Sequence, residues 1–72
     1  MTRDQWTVLV TAQRNRTDKR LAAYREKPSS RGYKSVLFNL GKLSGVLKAA
    51  ERDGCQFLSL SEFYKDIWSN LR

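Results

Sequence analysis

A stripe of apolar residues in the middle of this chain constrains its fold more than any other feature. Tyr33, Val36, Leu37, Leu40, Leu43, Leu47 and Ala50 recur at steps of three and four, a period that lines one face of an α-helix. The spacing predicts a helix over residues 33–52. Ser30 or Ser35 is placed to cap its start. Lys48 and Arg52 put positive charge in the last turns, where the helix dipole favours it. Gly54 follows as a left-handed terminator.

This helix has a second face made of Phe38, Gly41, Gly45 and Ala49. Two glycines inside a helix cost about 1 kcal/mol each relative to alanine. Close crossing by another helix is the expected reason; a nucleic-acid backbone or a second subunit over the same face is the functional alternative.

Near the end of the chain, Leu60, Phe63, Tyr64, Ile67, Trp68 and Leu71 share one side of another helix, with Ser59 and Glu62 spaced as a capping box. That aromatic face is expected to cover the central helix and fill the core, with a dimer seam as the alternative. The first segment mixes signals. Thr2 and Gln5 have capping-box spacing, and Trp6, Leu9, Leu21 and Tyr24 recur at near-helical steps. Residues 6–11 are rich in β-branched side chains, which favour strands, and polar Gln13 and Thr17 interrupt the stripe. The expectation is a helix over residues 3–26, with an interruption near residue 16, where Thr17 would cap a fresh helix over 18–26, left as an open variant. The alternative is an α+β fold in which a strand at 5–11 pairs with one at 55–58. Pro28, Ser29, Ser30, Arg31 and Gly32 read as the main turn. The sum is a mainly α, three-helix single domain over residues 1–72 with short connections.

At 72 residues the chain has room for one marginal core. It has one cysteine and no histidine, which excludes an internal disulfide, a zinc site and any histidine-based catalysis. Cys55 reads as a small apolar residue. Glu62 and Asp66 lie one turn apart on a hydrated face, and Glu51 and Asp53 flank a helix end without a convergent partner. Gly41-Lys42-Leu43-Ser44 lacks the upstream glycines of a phosphate loop. No catalytic residue, metal or cofactor is expected. The absence of a long apolar run argues against a membrane span. The lack of a signal-peptide order at the N-terminus and the free thiol fit a cytoplasmic location.

Charge carries the functional expectation. The net charge is +7; residues 1–35 hold nine bases against three acids, and residues 36–72 hold five against four. Such an asymmetry points to a polyanionic partner. The candidate footprint is Arg14, Arg16, Lys19, Arg20, Arg25, Lys27, Arg31 and Lys34, with Tyr33 (and Tyr24 beside it) available to stack on a base. Arginine outnumbers lysine six to three in this half, which suits two-point contact with phosphate or guanine. A helix-turn-helix reading fails, because the exposed side of the last helix carries no net positive charge. The expected function is a non-catalytic regulatory or accessory protein that binds DNA or RNA through its N-terminal half. The alternative is an adaptor or inhibitor that takes an acidic protein on the same basic surface, or an apolar groove on Phe38 and Trp68. A homodimer with a shared core is a third option.

Overall fold

A computed structural model describes residues 1–71 of the chain. Three helices follow in order: α1 (Arg3–Glu26), α2 (Ser30–Arg52) and α3 (Leu58–Asn70). Among the described residues there is no strand, so the strand pair at 5–11 and 55–58 is set aside. The first two helices form an antiparallel hairpin that gives the molecule its long dimension of 38 Å, and α3 packs chiefly against α2.

The first helix is continuous, without a break at residue 16. Its start is held by the capping box, with Thr2 accepting from the Gln5 amide and Gln5 accepting from the Thr2 amide. The buried stripe is Val10, Gln13, Thr17 and Leu21, flanked by half-buried Trp6 and Tyr24. Leu9, expected in the stripe, is 47% exposed, and its neighbour Val10 is fully buried. The steps are regular once the two polar residues are included. Those residues face Asn39 of α2. Gln13 Nε2 donates to the Asn39 carbonyl oxygen and to Oδ1, both at 3.2 Å. Thr17 Oγ1 donates to the Gln13 carbonyl at 2.9 Å and reaches the Asn39 carbonyl at 3.4 Å. Asn39 Nδ2 donates to the Ser35 carbonyl at 2.8 Å. Among the described residues no buried side-chain polar atom lacks a partner, so this layer avoids the penalty of an orphaned group. Packing and capping override the strand preference of the β-branched residues.

The second helix begins three residues before the apolar stripe, capped by Ser29, whose Oγ accepts from the Gly32 amide at 3.0 Å. Neither Ser30 nor Ser35 caps it. Ser30, Arg31 and Gly32 belong to the helix rather than to the turn. Gly32 sits where the hairpin closes: a Cβ there would lie 3.1 Å from Ser29 Oγ and 3.3 Å from the Tyr24 ring. At the far end, Gly54 takes φ 83°, the Cys55 amide bonds the Ala50 carbonyl at 2.8 Å, and the Gly54 amide bonds Glu51 at 3.0 Å. This paired closure is a Schellman motif, which requires a left-handed residue after the helix.

One core cluster is Leu21, Val36, Leu40 and Ile67, with Tyr24, Phe63, Tyr64 and Leu71 packed around it. Leu40, Leu43, Val10 and Val36 are the largest apolar side chains to be fully buried, each contributing about 1.5–3 kcal/mol. Trp68, expected on the core-facing side of the last helix, is 37% exposed.

Two further expectations fail. The close crossing over Gly41 and Gly45 does not exist: a Cβ at either position meets nothing within 4 Å. Both glycines face away from α1 and α3, because the apolar stripe of α2 already engages those helices. Ser59 does not cap α3 either. The helix starts earlier, at Leu58, with Phe57 at the cap position and no side-chain cap. The Phe57 ring lies under the Arg3 guanidinium at 4.9 Å, so an aromatic contact with α1 fixes the entry to α3.

Candidate nucleic-acid interface

On α1 and its C-cap, Lys27, positions 16, 19, 20, 23 and 27 follow three-and-four steps and fall on one flank beside the core stripe. On α2, positions 31, 35, 38 and 42 do the same. In the antiparallel hairpin these flanks face each other on the side opposite α3. They enclose two adjoining recesses of about 590 and 620 Å³. The first is lined by Arg20, Tyr24, Lys27, Arg31 and the Ser29–Gly32 corner. The second is lined by Arg16, Lys19, Arg20, Phe38, Asn39 and Lys42. Arg20, Ala23 and Ser35 belong to both, so the recesses form one open groove along the hairpin. Between Arg16 and Lys27 it runs about 16 Å, at 1.5 Å per helical residue.

The lining combines small side chains, Ala23 and Ser35, with long cationic ones. Six cations line the groove (Arg16, Lys19, Arg20, Lys27, Arg31 and Lys42) and no carboxylate does. Asp18 lies outside it, in a shallow recess on the outer side of Arg16 and Lys19. Among the described residues no groove cation is within ion-pair distance of an acid; the ion pair present joins the Met1 ammonium to Asp53 at 3.2 Å. A concave surface lined by one sign of charge focuses its field into the cleft.

The structure therefore brings together Arg16, Lys19, Arg20, Lys27 and Arg31 of the sequence footprint, and adds Lys42. It places the others elsewhere. Arg14 stacks over the Phe63 ring of α3 at 4.9 Å. Arg25 and Lys34 are exposed but outside the groove. Tyr33 is half-buried and packs against Tyr24, ring centroids 5.9 Å apart. Two aromatic residues reach the groove: Tyr24, half-buried in the first recess, and Phe38, 63% exposed in the second, with Lys42 Nζ 4.7 Å from the Phe38 ring centroid. Lys42 was hidden from a charge count because it lies in the nearly neutral half of the chain; its signal was the four-residue spacing from Phe38 on the polar side of α2.

No helix among the described residues is long and apolar enough to cross a membrane. Comparison of the chain with models of protein families, with curated proteins and with solved structures gives no match, so the geometry of the groove carries the functional reading.

Proposed function

We propose that this chain is a non-catalytic, cytoplasmic accessory or regulatory protein that binds nucleic acid in the groove between α1 and α2. One observation carries the reading: six cations from two helices line a single concavity that contains no acid and no internal ion pair. Cations without an acidic partner keep their full charge for a ligand, and a polyphosphate held there releases its own counterions. Arg16, Arg20 and Arg31 offer two-point grips on phosphate, and Lys19, Lys27 and Lys42 act as point charges.

The test is fluorescence anisotropy of labelled duplex and single-stranded oligonucleotides over a salt series from about 50 to 200 mM. With six groove cations engaged, log K against log salt should fall with a slope of at most about −5 on a duplex or about −4 on a single strand. Arg16, Arg20 and Arg31 changed together to alanine should flatten that slope by two to three, roughly 0.7–0.9 per contact. The pair Arg25→Ala with Lys34→Ala, outside the groove, should change it far less. Affinity indifferent to salt, or equal losses from both sets, refutes the groove as a binding site. A second reading, favoured by the exposure of Phe38 beside the cations, is an acidic protein held in the same groove. Such a partner would compete with nucleic acid for the same arginines.

A further inference from the structure

Resting on that reading, we infer that the groove is built for a single strand, with Phe38 as the platform on which one base stacks. The first argument is one of shape. The cations line a trough between two helices, and the hairpin carrying them belongs to a body 19 × 15 Å in its shorter dimensions. A duplex major groove, about 12 Å wide, admits one helix. One helix laid in it would bring only one wall's cations to the phosphates, and a rigid duplex cannot bend down into a trough to meet charges on both walls. A single strand follows such a trough with its phosphates and keeps its bases free.

The second argument is the wall chemistry. Phe38 is 63% exposed at the rim of a basic groove, although burying a phenylalanine elsewhere would be favourable. Lys42 Nζ lies over one face of the ring, 4.7 Å from its centroid, so a base stacks on the opposite face with a phosphate-binding charge one ring away. Beside them, Gly41 and Gly45 present no side chain that would crowd a base lying on the ring. A positive trough combined with an exposed ring is the arrangement by which single strands are held without sequence choice.

The experiment uses the full chain and three labelled probes: an oligothymidylate of about 12 nucleotides, an abasic strand of the same length, and a duplex of the same length. Wild-type protein should bind the thymidylate at least about 5-fold tighter than the abasic strand, the lower end of what one stacked base contributes. It should also prefer the thymidylate to the duplex. Phe38→Leu keeps an apolar side chain at an exposed helical site, and circular dichroism should show the fold retained. This variant should bind thymidylate and abasic strands alike, with the wild-type salt slope, because the phosphate contacts remain. Equal or tighter binding of the duplex, or thymidylate affinity unchanged in Phe38→Leu, overturns the single-strand inference while leaving a nucleic-acid groove standing. Failure of all three probes to bind at low salt overturns both.

Discussion

Asp53 closes the end of the hairpin far from the groove. Its Oδ2 accepts from the Trp6 indole at 2.6 Å and from the Met1 ammonium at 3.2 Å. The indole hydrogen bond first, and then the ammonium, hold its carboxyl below the ordinary carboxylate value. Folding favours the charged form, so the contribution is complete above the ordinary value of about 3.9 and disappears as pH falls through the lower folded value. Asp53→Asn should therefore lower the melting temperature at neutral pH and soften the loss of stability on acidification from about pH 5 downward. Thermal melts by circular dichroism over that range check this, and an unchanged acid slope in the variant would count against the assignment. The polar layer obeys a different logic. Asn39→Ala removes the acceptor Oδ1 from the Gln13 amide and should cost about 1–3 kcal/mol by urea unfolding. Gln13→Leu combined with Asn39→Leu should cost clearly less than the sum of the single changes, because no donor is then left searching for a partner. Strict additivity would mean that the two side chains do not act as a pair.

Among the elements, the glycines divide into two kinds. Gly54 takes φ 83° to end α2, and Gly54→Ala should destabilise by about 1 kcal/mol or more because alanine is strained there. Gly41 and Gly45 have ordinary helical surroundings and open space where a side chain would be. Gly41→Ala and Gly45→Ala should each stabilise by roughly 0.5–1 kcal/mol. A domain of this size should show that as a rise of several degrees in melting temperature, and a fall would reveal crowding on that face. This contrast marks what the sequence could disclose. The three helices were legible because apolar residues and caps announce themselves locally: Tyr33 to Ala50, Leu60 to Leu71, and the Thr2 and Gln5 box. The sequence leaves the continuity of α1 open at residue 16, since Gln13 and Thr17 look like a break until Asn39, more than twenty positions away, supplies their partner. For the same reason the cap at Ser59 failed: Phe57 meets Arg3 across the fold, a contact that no spacing rule contains. Five of the six groove cations were legible as a charge excess. The membership of the groove was not, because the flank of a helix that meets its neighbour depends on the crossing. Arg14 and Arg16 are two residues apart and end up on opposite sides of the hairpin, one over Phe63 and one in the groove.

The whole molecule carries +7 over 72 residues, with six of its cations gathered in one trough that lacks acids. Gathering like charges opposes folding, since the unfolded chain separates them. Salt screens such repulsion within about 10 Å at 0.1 M. The fold and the proposed complex should then respond to salt in opposite directions. Raising salt from about 50 to 200 mM should raise the stability of the free protein, while nucleic-acid affinity falls by orders of magnitude over the same range. Arg20 is the sensitive position, because it lines both recesses. Arg20→Gln should leave the free protein at least as stable as wild type at low salt and weaken its dependence on salt, while reducing oligonucleotide affinity. Urea unfolding and anisotropy on the same preparations measure the two sides. A protein that loses stability as salt rises, or an Arg20→Gln variant that is clearly less stable at low salt, would show that the groove cations hold the fold together. Their concentration in one concavity would then have an internal structural cause and no longer argue for a polyphosphate ligand.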